Sequence, residues 1–72
     1  MKRFKINRPI DINGISGTGF VIDGVIFEDG TTVIQWKTKY QSIAIFKSFE
    51  DFKAVHIDSH PENLTEIIFL EV

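Results

Sequence analysis

Cysteine is absent from this 72-residue chain. That excludes a disulfide framework, cysteine-based zinc ligation and a thiol nucleophile, and it agrees with a reducing, cytoplasmic setting. No apolar run approaches the roughly 20 residues that a membrane helix needs. The N-terminus MKRFKINRPI has no apolar core of signal-peptide length, so a soluble, unprocessed protein is expected. A large charge of either sign is also missing. The formal net charge of -2 excludes a strongly basic nucleic-acid coat and a dense acidic mimic of nucleic acid. Size is short as well: one domain fits in 72 residues, near the lower limit for a core that stands without disulfides, metal or partner subunits.

What is present is organised around Ser16 to Trp36, SGTGFVIDGVIFEDGTTVIQW. Asp29-Gly30 between β-branched, apolar runs predicts a tight two-residue type I′ hairpin turn. Such a turn pairs Glu28 with Thr31, Phe27 with Thr32, Val25 with Ile34 and Gly24 with Gln35. Upstream, the alternation slips at Asp23-Gly24. A bulge at Gly24 restores one core face, and a second tight turn there is the alternative. In this register Trp36 falls beside Asp23-Gly24, where an aromatic ring covers a strand glycine.

Around the hairpin, Lys2 to Arg8 alternates Phe4 and Ile6 with Arg3, Lys5 and Asn7, which predicts a strand with one wet face, suited to a sheet edge. Pro9 and the turn formers of Asp11 to Gly19 end it in a loop. Ser42 to Lys47 predicts a strand with both faces apolar. Ser48 with Asp51 starts the one convincing helix, and Glu50 and Asp51 place negative charge at its positive end. Phe49, Phe52, Val55 and His56 follow one helical face, and the helix should end before Pro61. Thr65 to Val72 closes the chain as a strand, again apolar on both sides.

The fold class expected is therefore α+β: a small curled antiparallel β-sheet or partly open barrel of about five strands, with one helix before the last strand. Three or more strands carry large apolar side chains on both faces, and one short helix covers only one face. Either the sheet curls enough to hide the rest or a second subunit covers it, so self-association is expected. Basic Lys2, Arg3, Lys5 and Arg8 crowd the N-terminus, and no basic residue follows Lys53. Charges spread over solvated faces account for this asymmetry most simply.

These residues resemble a family of short proteins from bacterial, archaeal and phage genomes. Its members run S-G-T-G, a strand, G-V-x-F-x-D-G-T, a strand ending in Trp, then a helix closing on His and a last apolar strand. The matching positions here are Ser16, Gly17, Thr18, Gly19, Gly24, Val25, Phe27, Asp29, Gly30, Thr31, Trp36 and His56. The chain departs from the pattern after His56, where Ile57 to Pro61 replaces a short Gly-rich turn. The resemblance implies a fold more than an activity, and its occurrence in phages implies host-takeover or defence-evasion roles.

Chemistry-bearing candidates are few. Gly14, Gly17 and Gly19 could offer backbone N-H groups to a phosphate, but the loop opens onto a strand and matches neither the P-loop nor the dinucleotide fingerprint; a loop needing positive φ explains it more simply. His56 and His60, four apart, have zinc-ligand spacing on a helix, but Pro61 keeps His60 from being helical, so no metal and no cofactor are expected. With no nucleophile beyond Ser or Thr, an enzyme is not expected. Trp36, Lys37, Lys39 and Tyr40 combine aromatic faces with cations, the ingredients for stacking a base while neutralising a phosphate, against the plain alternative of a core Trp and two solvated lysines. The functional expectation is a small non-enzymatic binding protein acting as a homo-oligomer, sequestering a nucleotide-like ligand with Gly17, Thr18, Gly19, Trp36, Lys37, Lys39 and Tyr40. The alternatives are a protein-interaction module inhibiting a host protein, and a nucleic-acid binder using the basic N-terminal strand.

Overall fold

The alternating N-terminal segment forms strand β1 (Lys2–Arg8) of an open antiparallel sheet. The computed structural model describes residues 1–10, 18–39 and 41–70. Strands β2 (Gly19–Ile26), β3 (Thr32–Trp36), β4 (Ile43–Phe46) and β5 (Glu66–Leu70) complete the sheet, in the spatial order β4-β3-β2-β1-β5. Helix α1 (Phe49–Lys53) runs directly into a π-helical segment (Ala54–Asp58), and a 3-10 turn (Pro61–Asn63) leads to β5. The α+β class, the strand count and the helix before the last strand are as the sequence predicts. The sheet does not close.

Strand β1 is not at an edge. It pairs with β2 on one side and β5 on the other, so its charged outer residues mark a wet face and not a free edge. The chain returns after the helix to lay β5 against β1, and the edges are β4 and β5.

The hairpin register also differs from the expected one, by one residue. Phe27 and Thr31 close the ladder, with the Phe27 N-H donating to the Thr31 carbonyl at 2.8 Å and the Gly30 N-H donating to the Phe27 carbonyl at 2.9 Å. The loop is thus three residues, Glu28-Asp29-Gly30. A type I′ turn needs positive φ at both central residues; here Gly30 alone is left-handed, with φ 96°, as a three-residue loop ending in a glycine bulge requires. The Asp29 carboxylate accepts the Thr31 N-H at 2.9 Å and pins that geometry. A one-residue slip exchanges the faces. Val25 now opposes Val33, Gly24 opposes Ile34, and Trp36 opposes Ile22.

Neither irregularity expected at Asp23-Gly24 occurs, since the β2–β3 ladder runs regularly through it. The bulge lies earlier: the β1 partners step from Ile22 to Phe20, leaving Val21 as the extra residue. Gly24 is instead the place where a ring crosses the sheet. The ring is that of Phe4, its cross-strand partner, and a Cβ at Gly24 would lie 2.1 Å from Phe4 Cζ.

These registers put Phe4, Ile6, Ile22, Ile26, Thr32, Ile34, Trp36, Ala44, Phe46 and Ile67 on one face. The helix covers that face. Phe52 is fully buried against Phe4 and Phe46, with ring centroids 5.6 Å from each. Each such buried side chain contributes about 1.5–3 kcal/mol. Ser48 caps the helix as expected, its Oγ accepting the Asp51 N-H at 3.1 Å. Val55, expected on the buried side, is exposed, and Ile57 is buried in its place. The π segment explains the exchange: its wider i→i+5 turn brings Ile57 back over the position of Phe52.

Candidate functional site

The face opposite the helix is built by the alternate residues of the same strands and no element covers it among the described residues. In cross-strand rows it carries Ile45, Val33, Val25, Arg3 and Leu70, then Ile43, Gln35, Asp23, Lys5 and Ile68. Ile43 and Ile45 at the β4 edge are 67% and 71% exposed, values out of keeping with a core side chain. Val25 and Val33 beside them are half-buried. A shallow depression of about 290 Å³ lies here, with Asp23, Val25, Val33, Gln35 and Ile43 among its walls. Part of the apolar surplus anticipated from the sequence therefore lies on this face, with Phe69 and Val55 exposed on the helix side.

The centre of this face is charged. Lys5 Nζ lies 2.9 Å from Asp23 Oδ1, and Lys37 Nζ lies 3.8 Å from Asp23 Oδ2. Each pair is more than a third exposed and so contributes at most about 1 kcal/mol; its main effect is to fix where the cations sit. Lys5 also stands 5.8 Å from the centre of the Phe20 ring, which is 56% exposed.

The residues expected to hold a ligand share one end of the sheet but not one face. Gly19 opposes Arg8, and the Lys37 N-H donates to the Val21 carbonyl at 2.7 Å, so the start of β2 and the end of β3 do meet. Trp36, however, turns toward the helix, with its ring 5.3 Å from that of His56 in an edge-to-face arrangement. Lys37 turns to the other face and reaches Asp23. A base stacked on Trp36 would have the sheet between it and the Lys37 ammonium. Thr18 and Lys39 are exposed near this end. Gly14, Gly17 and Tyr40 lie outside the described residues.

The basic N-terminal strand is likewise divided. Arg3 is exposed, Lys5 is paired with Asp23, and Arg8 is buried at 4% on the helix face. Against the helix, His56 also contacts the rings of Phe46 and Phe52, at 5.6 and 5.7 Å. Burial, with further contributions from the charges of Arg8 and His60, holds its imidazole below the ordinary histidine value. His60 points elsewhere, its Nδ1 lying 3.6 Å from Glu62 Oε1. Among the described residues no cluster of His, Asp and Glu is close enough to hold a metal ion.

Two features of the open face escaped sequence reasoning: Phe20 beside Lys5, and the shared carboxylate of Asp23. They are 15 and 18 residues from Lys5 in sequence, and only the β1–β2 register brings them together. The signal that could have found them is the alternation of Lys2–Arg8, which already assigns Lys5 to the wet face.

No helix among the described residues is long and apolar enough to cross a membrane. No curated protein and no solved structure matches the chain. A model of the Acb5 phage protein family does match, over residues 1–71. That match takes in every strand and the helix described above, and the chain belongs to the Acb5 phage protein family.

Proposed function

We propose that this phage protein is a small protein-interaction module that occludes a protein of the bacterial host through the open face of its sheet. The observation that carries this reading is the apolar surface of Ile43, Ile45, Val33 and Val25, left in water beside a fixed Lys5–Asp23–Lys37 cluster. Exposed apolar area costs solubility unless something covers it, and a neighbouring cluster of charge supplies register to an apolar contact. The shallow relief of this face suits a protein surface better than a small molecule, which favours a deep concave site.

The test is site-specific photocrosslinking in the bacterial host. A photoreactive residue at Gln35, in the middle of the open face, should give one discrete adduct with a host protein. The same residue at Glu50, exposed on the helix side, should give none. Equal labelling from both positions, or no adduct from Gln35, would refute the proposal.

A second reading, sequestration of a nucleotide-like ligand, is favoured by the exposed Phe20 ring with Lys5 over one side of it and Lys37 on the same face of the sheet, an aromatic surface with cations close by. A thermal-shift panel of nucleotides and cyclic nucleotides separates the two readings. A ligand at a hundred times its dissociation constant stabilises by about 2.7 kcal/mol, and Phe20→Ala should abolish that shift.

A further inference from the structure

The edge strand β4 is short but carries no side chain that would keep a second strand away. From Gln41 to Phe46 there is no charge, proline or glycine. The other edge, β5, contains Glu66, which also accepts a hydrogen bond from Asn7 at 2.8 Å. The backbone polarity of β4 follows from its pairing with β3. The Trp36 N-H donates to the Ser42 carbonyl at 2.8 Å, so Trp36 and Ser42 are a hydrogen-bonded pair. Such pairs alternate along an antiparallel ladder. Ala44 and Phe46 therefore direct their backbone groups toward β3, and the N-H and C=O of Ile43 and Ile45 point away from the sheet.

Ile43-Ala44-Ile45 reads the same in both directions. We infer that β4 pairs with β4 of a second copy of this chain, antiparallel about a two-fold axis through Ala44, joining two sheets into one. In that register Ile43 faces Ile45 of the other copy, and their outward N-H and C=O groups satisfy one another. Ala44 faces its own equivalent in the close, non-hydrogen-bonded position, where a small side chain is needed. Phe46 faces Ser42 and Lys47 faces Gln41, so no like charges meet. Centring the axis on Ile43 or Ile45 instead would leave one isoleucine of each copy opposite Gln41 or Lys47. Closed two-fold pairing also uses up the exposed edge, which a head-to-tail arrangement would not. The isoleucines of both copies then form one apolar band continuous with Val33 and Val25.

The contact is smaller than the roughly 1,000 Å² of a permanent interface, so the pairing is concentration-dependent. Sedimentation of the full chain across the micromolar range should show the mass rising toward about twice 8.3 kDa. Ile45→Lys, at a 71% exposed position, should leave the chain monomeric and folded by circular dichroism, and Ile68→Lys on the β5 edge should leave the dimer intact. The chain has no cysteine, so Ala44→Cys supplies its only thiol, and mild oxidation should lock a covalent dimer. Residues facing each other in the close position lie about 4.5 Å apart, within disulfide reach. A monomer at every concentration would overturn the inference. So would loss of the dimer with Ile68→Lys in place of Ile45→Lys, or a dimer of the Ala44→Cys variant that oxidation fails to cross-link.

Discussion

Gly24 has room for a hydrogen and nothing larger on the helix side, because the Phe4 ring lies across it. Adding a methyl would force either the ring out of its buried site against Phe52 or β2 away from β1. Both responses disturb the middle of the sheet. Overpacking of this kind costs about 1–3 kcal/mol. For a domain of this size each kcal/mol lowers Tm by roughly 4–8 °C, so Gly24→Ala should melt well below the parent. A smaller residue at position 4 should relieve the clash. Phe4→Leu in the Gly24→Ala background should therefore cost less than the sum of the two single changes. Additive losses in a double-mutant cycle would mean that the ring and the glycine do not constrain each other.

At the scale of elements, the helix acts through the one turn that widens. The π segment lets Phe52, His56 and Ile57 all reach the sheet, and it seats His56 among Trp36, Phe46 and Phe52 with Arg8 and His60 nearby. Burial first, then the positive charge of Arg8 and the neighbouring His60, lower its folded pKa below the unfolded value. The neutral imidazole is the form the fold accepts. Above about pH 6.5 both states hold it neutral; as pH falls below that value the unfolded chain binds the proton first, so stability declines until the folded pKa is passed. Chemical denaturation between about pH 7 and 5 should show this slope, and His56→Phe should flatten it. A parent whose stability holds constant through that window would contradict the placement of His56.

The elements themselves were legible: Lys2–Arg8 alternates as a strand must, and Ser48 with Asp51 announces the helix. Register was not. Asp-Gly fits a two-residue or a three-residue loop, and the three-residue loop puts Ile34 and Trp36, in place of Val33 and Gln35, on the face that carries Phe4. The candidate site suffered from the same ambiguity. Trp36 and Lys37 are adjacent in sequence and for that very reason face opposite ways in a strand, whereas Lys5, Phe20 and Asp23 meet through pairing alone.

For the whole molecule, the sheet order sets a gradient of stability. Strands β1 and β2 are flanked on both sides, and they contribute Phe4, Ile6, Val21 and Ile22 to the core, whereas β4 is held by β3 and a short helix alone. Amide exchange should follow that order, with β1 and β2 opening only on global unfolding and β4 opening at lower free energy. Within β4 the pattern should alternate in dilute protein: Ala44 and Phe46 protected by their bonds to β3, Ile43 and Ile45 exchanging at nearly the rate of an open chain. Raising the concentration should protect Ile43 and Ile45 selectively, because pairing between copies satisfies those two groups and no others in the strand. A host protein seated on the open face would slow exchange in β3 and β4 together without restoring that alternation to a uniform ladder. Protection of Ile43 and Ile45 already present in the dilute monomer would show that their amides are satisfied within one chain, leaving no free edge for a second copy to meet.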